Sequence, residues 1–153
     1  MPTDMLRARH ARSPRPAPEA RGPRDSAAPR MLRLSGRAFD LVAELVASPT
    51  ADRLWAALPL NSTIEPWGEA VHFEVPVASG RERGARISVT PGDVCYWPAH
   101  QRIIVVWGAT PISRAGEVRM PEPVNVVARV VGDAGILRSA RAGERVSLGR
   151  LSA

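Results

Sequence analysis

The stretch EAVHFEVPV, residues 69–77, alternates in a way that only a β-strand satisfies. Every second position from 71 to 77 carries a valine or a phenylalanine, while His72 and Glu74 fall on the opposite face. Side chains of a strand point alternately to its two faces, so this period of two predicts a strand with one buried and one more open face.

Short apolar runs separated by turn residues continue this pattern from residue 31 onward. They are MLRL, RAFDLVAELV, ARISVT, VCYW, RIIVVW, VNVVARVV and ERVSLGRL. RIIVVW is apolar on both faces and predicts a central strand. GATPISRAGEVRMPEP is rich in glycine and proline and predicts a long loop. Many short strands with turn signals predict an all-β fold, closed or nearly closed into a barrel.

One short amphipathic helix is expected between these strands, in SPTADRLWAALP. Ser48 fits the N-cap, Pro49 fits the first helical position, and Pro59 ends the element. Leu54 and Trp55 share its apolar face with neighbours one turn away.

The first 30 residues differ from the rest in composition. They hold seven arginines and three acidic residues, whereas residues 31–153 hold fourteen arginines and twelve acidic residues, so most of the net charge of +6 comes from this segment. A segment dominated by proline, alanine and arginine cannot bury enough apolar surface to form a packed core. We therefore expect a disordered tail at 1–30 and one folded domain at 31–153. The tail is a solvated extension, an upstream extension before a true start at Met31, or a nucleic-acid-binding arm.

Several function classes have no support in the motifs. The sequence has no phosphate-binding glycine loop, no CxxC and no GxSxG, and its three histidines are scattered. We therefore expect no metal and no cofactor. No apolar run is long enough to span a bilayer and no secretory signal is present, so we expect a soluble, cytoplasmic protein without membrane contact.

Five blocks in order carry a family resemblance. They are SPTADRLWAALPL, WGEAVHFEVPV, GDVCYWPA, VVWGATPIS and EPVNVVARVVGD. The series resembles the small stand-alone cyclophilin-like proteins of prokaryotes, long treated as a domain of unknown function. This resemblance implies a cyclophilin-like closed β-barrel with the helix at one end. Cys95 stands where the family usually has alanine, which favours a small wall residue over a reactive thiol.

The resemblance also bears on prolyl isomerase activity. True cyclophilins polarise the substrate amide with an arginine in a strand motif similar to VHFEVP, and the matching position here is Phe73. A phenylalanine cannot donate hydrogen bonds to an amide, and the uncatalysed barrier is about 18–20 kcal/mol. The sequence therefore gives little support to an isomerase.

Six residues in or next to these blocks are the candidate ligand-binding residues. They are Glu74, Tyr96, Trp97, Thr110, Ser113 and Asn125. Tyr96 and Trp97 point to opposite faces of one strand, so we expect one in the core and one on an open surface. Ordinary packing, turn chemistry or a solvated charge explains each residue as well as ligand contact does.

These residues favour a binding domain that takes a small ligand or an extended peptide segment on the barrel surface. A divergent peptidyl-prolyl isomerase is the enzymatic alternative. Nucleic-acid binding through the arginine-rich tail is the third, and it is the weakest because no aromatic side chains are interleaved with the arginines.

Overall fold

In the computed structural model, residues 28–151 are described, and they form ten strands, one α-helix and one 3-10 helix. The strands are β1 Met31–Ser35, β2 Asp40–Leu45, β3 Leu60–Thr63, β4 Glu65–Pro66, β5 Ala70–Glu74, β6 Arg86–Val89, β7 Asp93–Trp97, β8 Arg102–Val106, β9 Val118–Val131 and β10 Arg145–Arg150. The helix α1 spans Pro49–Ala57, and the 3-10 helix spans Ala134–Ser139. The prediction of a mainly β domain with one short α-helix is confirmed.

Nine of the strands follow one another in a single antiparallel sheet. Its order is β3-β10-β1-β2-β9-β7-β8-β5-β4, and β6 pairs separately with β9. The connections β1–β2 and β7–β8 are local hairpins, whereas the pairings of β9 and β10 join distant parts of the chain.

The helix α1 covers one face of this sheet. Ser48 is the N-cap, as predicted, and its Oγ accepts a hydrogen bond from the Ala51 amide at 3.1 Å. Ala51 and Leu54 are buried against the side chains on this face of the sheet, which include Phe73 and Tyr96. We call this cluster the inner core.

Strand β8 lies between β5 and β7, so the prediction of a central strand for RIIVVW is confirmed. Its side chains alternate between two clusters, because Ile103 and Val105 belong to the inner core while Ile104 and Val106 face the other side. That second cluster, the outer core, is completed by Val118 and other residues of β6 and the first part of β9. The sheet is therefore apolar on both faces at its centre.

Strand β9 is longer than the sequence suggests. Its last residues pair with β2 and β7. Its first residues, which the sequence assigned to a loop, pair with β6. The prediction of a loop as far as residue 123 was wrong because Pro121 and Pro123 lack amide protons and are typical of loops. In the structure they lie where the register between β6 and β9 shifts, and such an irregularity accommodates proline.

The expected closed barrel is not formed by the residues that the structure describes. The two ends of the sheet are β3 and β4, and these are successive pieces of one segment separated by Ile64. Ile64 donates its amide to Glu144 and accepts from the Gly143 amide, so it belongs to the β10 side, and the next residue turns to pair with β5. In a closed barrel, hydrogen bonds would join the two edge strands. Here the covalent chain joins them through Ile64.

The predicted tail at 1–30 lies, up to position 27, outside the described residues, and so does the nucleic-acid-binding arm proposed for it. Among the described residues, no helix combines the length and the apolar character that crossing a membrane requires.

Replacement of Ile64 by alanine tests the role of the bridging segment. Ile64 is fully buried in the inner core, so we expect the free energy of unfolding to fall by about 2–5 kcal/mol in urea denaturation. The matched control is Ile87→Ala on β6, where the side chain is 39% exposed and the expected loss is about 1 kcal/mol or less. Equal losses for the two variants would show that the segment does not anchor the fold.

Candidate ligand-binding site

The six residues selected from the sequence lie at three places in the structure. Tyr96 and Asn125 are buried on the inner side of the sheet. Thr110 and Ser113 lie in the loop that precedes β9. Glu74 and Trp97 lie on the outer face of β5 and β7. The structure therefore brings the six together in pairs and not on one surface.

Tyr96 is the inward member of the aromatic pair. Its ring is fully buried in the inner core, and its hydroxyl donates to the Val77 carbonyl. The same oxygen accepts a hydrogen bond from the Ser79 amide at 3.2 Å. Tyr96 thus fixes the start of residues 78–84, the part of the connection between β5 and β6 that we call loop 78–84.

Asn125 holds the next part of the same loop. Its side-chain amide, 1% exposed, donates to the Gly80 carbonyl at 2.9 Å and to Thr50 Oγ1 at 3.0 Å. Its oxygen accepts from the Glu82 amide at 2.9 Å. A buried amide with donor and acceptor both paired is a strong constraint, because loss of any partner leaves a polar group without a hydrogen bond. Asn125 therefore braces loop 78–84 from inside the protein.

Thr110 and Ser113 bond to each other and to β9. Their hydroxyls lie 2.9 Å apart, and Thr110 Oγ1 donates to the Arg119 carbonyl at 2.6 Å. Ser113 Oγ accepts from the amides of Thr110 and Arg119, each at 2.9 Å. Ser113 also lines a cavity of about 620 Å³ between this loop and the turn at Thr90. The two hydroxyls hold the loop in place, and their bonding capacity is already used within the chain.

A polar and aromatic surface surrounds Glu74 and Trp97. We call it the outer-face patch, and its members are Glu65, His72, Glu74, Trp97, His100 and Arg102. Register places Trp97 opposite Arg102 and Arg102 opposite Glu74, so these three form one row across β7, β8 and β5. On the neighbouring strands β4 and β5, His72 lies opposite Glu65.

His72, Arg102 and Glu65 are in mutual contact. Arg102 Nη1 lies 3.1 Å from His72 Nδ1 and 3.6 Å from a Glu65 oxygen, and His72 Nε2 lies 3.7 Å from that same oxygen. Burial lowers the pKa of His72 below its ordinary value of 6.5; Arg102 and His100 lower it further, and Glu65 opposes the shift. A neutral His72 accepts from Arg102 at Nδ1 and carries its hydrogen on Nε2, toward Glu65.

Trp97 carries a polar group without a partner. Its indole Nε1 is buried and has no hydrogen-bond acceptor within residues 28–151. The ring packs with one side on the outer core, and the His100 ring meets it edge-on with centroids 4.3 Å apart. An unsatisfied buried donor costs free energy, so an acceptor that reaches Nε1 would stabilise the complex that brings it.

Arg102 and Glu65 were missed in the sequence. Arg102 lies at the start of an apolar strand and Glu65 lies in a segment that gave no strand signal. Only the pairing of β8 with β5 and of β5 with β4 brings them to His72. The alternation in EAVHFEVPV did place His72 and Glu74 on the same face, and this was the sequence signal that pointed to the outer-face patch.

Cys95 is a buried wall residue of the outer core, with no exposed surface. Burial raises the pKa of its thiol, with the nearby Asp93 adding to the shift, so the reactive thiolate is disfavoured. Within the described part of the chain, no three His, Cys, Asp or Glu side chains lie close enough together to hold a metal ion.

The class of the protein follows from this architecture: a small, mainly β domain with a helix over one face of its sheet. Residues 30–149 match the family described as Cyclophilin-like, and the chain belongs to that family. Phe73, at the position compared with the cyclophilin arginine, is fully buried in the inner core.

Solved structures similar to the chain include the following two. The hypothetical protein AF2241 from Archaeoglobus fulgidus has 32% identity and a TM-score of 0.71, over 80% of this chain and 95% of that one. McbB, solved in complex with tryptophan, has 16% identity and a TM-score of 0.60, over 80% of this chain and 45% of that one. A comparison with curated proteins gave no significant match.

Replacement of Asn125 by leucine tests the buried bracing of loop 78–84. It leaves Gly80 and Glu82 without their partners, so we expect a loss of about 1–3 kcal/mol in the free energy of unfolding. Hydrogen exchange of the Glu82 amide should also become faster. Asn61→Leu is the control, since Asn61 bonds Ser147 at an exposed position. Unchanged exchange at Glu82 would contradict the assignment.

The pKa of His72, read from an NMR titration of its ring protons, tests the geometry of the outer-face patch. We expect it below 6.5, raised toward 6.5 by Arg102→Gln and lowered further by Glu65→Gln, because these remove a positive and a negative neighbour. The control Arg114→Gln should leave it unchanged.

The same shift predicts how stability depends on pH. The unfolded chain binds the His72 proton more tightly than the folded state does, so stability should fall as pH decreases from 6.5 through the folded pKa. A His72 pKa at or above 6.5 would contradict both expectations.

Proposed function

We propose that this protein is a binding domain whose outer-face patch takes an extended peptide segment. The observation that carries the proposal is the row of Trp97, Arg102 and Glu74 on three neighbouring strands. The row offers an aromatic ring, a cation and an anion in sequence, and side chains of these types are suited to recognition of a polypeptide.

The dimensions of the row suit a short extended segment. Two strand spacings separate Trp97 from Glu74, which is about 10 Å, and an extended peptide covers this distance with about three residues. A peptide carbonyl that approaches Trp97 would find the indole donor that has no partner among the described residues 28–151. The His100 ring, which meets the Trp97 ring edge-on, lies on an exposed turn and can move aside when a peptide binds.

The charges along the row define which peptides should bind. Arg102 uses its Nη1 group toward His72, and its Nε and Nη2 groups have no partner among residues 28–151. These two groups can hold a carboxylate in a bidentate manner. Glu74, exposed on the far strand, can pair with a basic side chain. An acidic residue followed by a basic residue is therefore the favoured ligand chemistry.

His72 keeps Arg102 in position. Its neutral Nδ1 accepts the hydrogen bond that orients the guanidinium, and protonation would turn this acceptor into a donor and add a repelling charge. Peptide binding should accordingly weaken at a pH below the pKa of His72.

A library of short peptides with one acidic and one basic residue at varied spacing tests the proposal. We expect saturable binding that becomes about tenfold weaker or more in Trp97→Leu and in Arg102→Gln. The control is Arg129→Gln, an exposed arginine of β9 that pairs with Asp93 outside the patch, and its affinity should be unchanged. Tryptophan, with which McbB was solved, serves as the small-ligand probe.

The proposal is overturned if no member of the library binds, or if both patch variants bind as tightly as the parent protein. The prolyl isomerase alternative is tested on the same samples with a protease-coupled Ala-Pro peptide assay. We expect the uncatalysed rate. A faster rate that Arg102→Gln abolishes would instead assign the patch to a divergent isomerase.

A further inference from the structure

A concave surface lies away from the outer-face patch, between the start of α1 and loop 78–84. This cavity has a volume of about 530 Å³, within the range of small-molecule sites. Ala47 and Pro49 supply an apolar wall, and Gly80 and Gly84 leave the opposite wall without side chains. Ser48 and residues 81–83 complete the lining.

The loop that walls this cavity is fixed from inside the protein. Tyr96 binds the Ser79 amide, Asn125 binds Gly80 and Glu82, and Thr50 Oγ1 lies 2.8 Å from Ser79 Oγ. Loop 78–84 is thus attached to β7, β9 and α1 through buried groups. Such attachment reduces the entropy that the loop loses when it binds a ligand.

The side chains of the loop divide between the interior and the cavity mouth. Glu82 turns inward, and its carboxylate accepts the Thr50 amide at 2.9 Å, which pairs its charge with the start of the helix. Arg81 and Arg83, on either side of it, are exposed and line the cavity. Arg53 lies close by, with its Nη1 on the Ala78 carbonyl at 2.7 Å. The cavity mouth therefore carries cations, and the one acidic group in its lining already has a partner.

We propose that this cavity binds a small amphiphilic anion, with a carboxylate or phosphate group between Arg81 and Arg83 and an apolar portion against Ala47 and Pro49. Arginine forks recognise both kinds of anion by paired hydrogen bonds. This site is separate from the peptide surface of the outer-face patch, and it uses none of the same side chains.

Phenyl phosphate and phenylacetate, with inorganic phosphate for comparison, are the probes for calorimetric titration of the full chain. We expect saturable binding of at least one aromatic anion, and the tighter of the two identifies the anionic group. The double variant Arg81→Gln/Arg83→Gln should weaken this binding about tenfold or more. Ala47→Phe, which fills the apolar wall without a change of charge, should weaken it as well.

Two control variants separate the possible outcomes. Arg141→Gln removes an exposed arginine elsewhere and should leave the affinity unchanged. Arg102→Gln disables the outer-face patch and should also leave it unchanged, so the two proposals can fail independently. The inference is overturned if neither aromatic anion binds, if the double variant binds as tightly as the parent protein, or if only inorganic phosphate binds and does so equally in every variant.

Discussion

The antiparallel register of β8 between β5 and β7 is the constraint on which the candidate site depends. It pairs Arg102 with Trp97 on one side and with Glu74 on the other, and alternation along each strand puts all three on the outer face. The same register puts Phe73 and Tyr96 into the inner core. A slip of β8 by one residue would turn Arg102 into the inner core without a partner and turn Ile103 out toward the outer-face patch, and both changes cost free energy. The packing of the inner core therefore determines which side chains lie on the outer-face patch.

Much of the fold could be predicted from local patterns. The alternation in residues 69–77, the N-cap at Ser48 and the two-faced apolar run of β8 each depend on neighbours in sequence, and the structure confirms all three. The family resemblance is confirmed over residues 30–149 as well. Local signals also separated Tyr96 from Trp97 by face, although they could not decide which one lies inside.

The remaining features depend on contacts between distant segments, which one sequence does not reveal. In the sequence, ordinary packing explains Asn125 as well as ligand contact does, and its partners Thr50 and Gly80 are 75 and 45 residues away. Arg102 becomes a site residue only because β5 brings His72 to it across 30 residues. The open sheet has the same origin, since the turn of the chain after Ile64 follows from pairing with both β10 and β5.

The indole Nε1–H signal of Trp97, followed in an NMR titration with a peptide that binds, shows whether the outer-face patch is the ligand site. The signal is assigned by its loss in Trp97→Leu. The internal reference is Trp55 of α1, whose ring stacks under the guanidinium of Arg150. A hydrogen bond donated by the Trp97 indole Nε1–H to a peptide carbonyl predicts a downfield shift of the Trp97 signal that saturates with binding, while the Trp55 signal stays in place. Saturable binding with an unmoved Trp97 signal would show that the outer-face patch is not where the ligand lies.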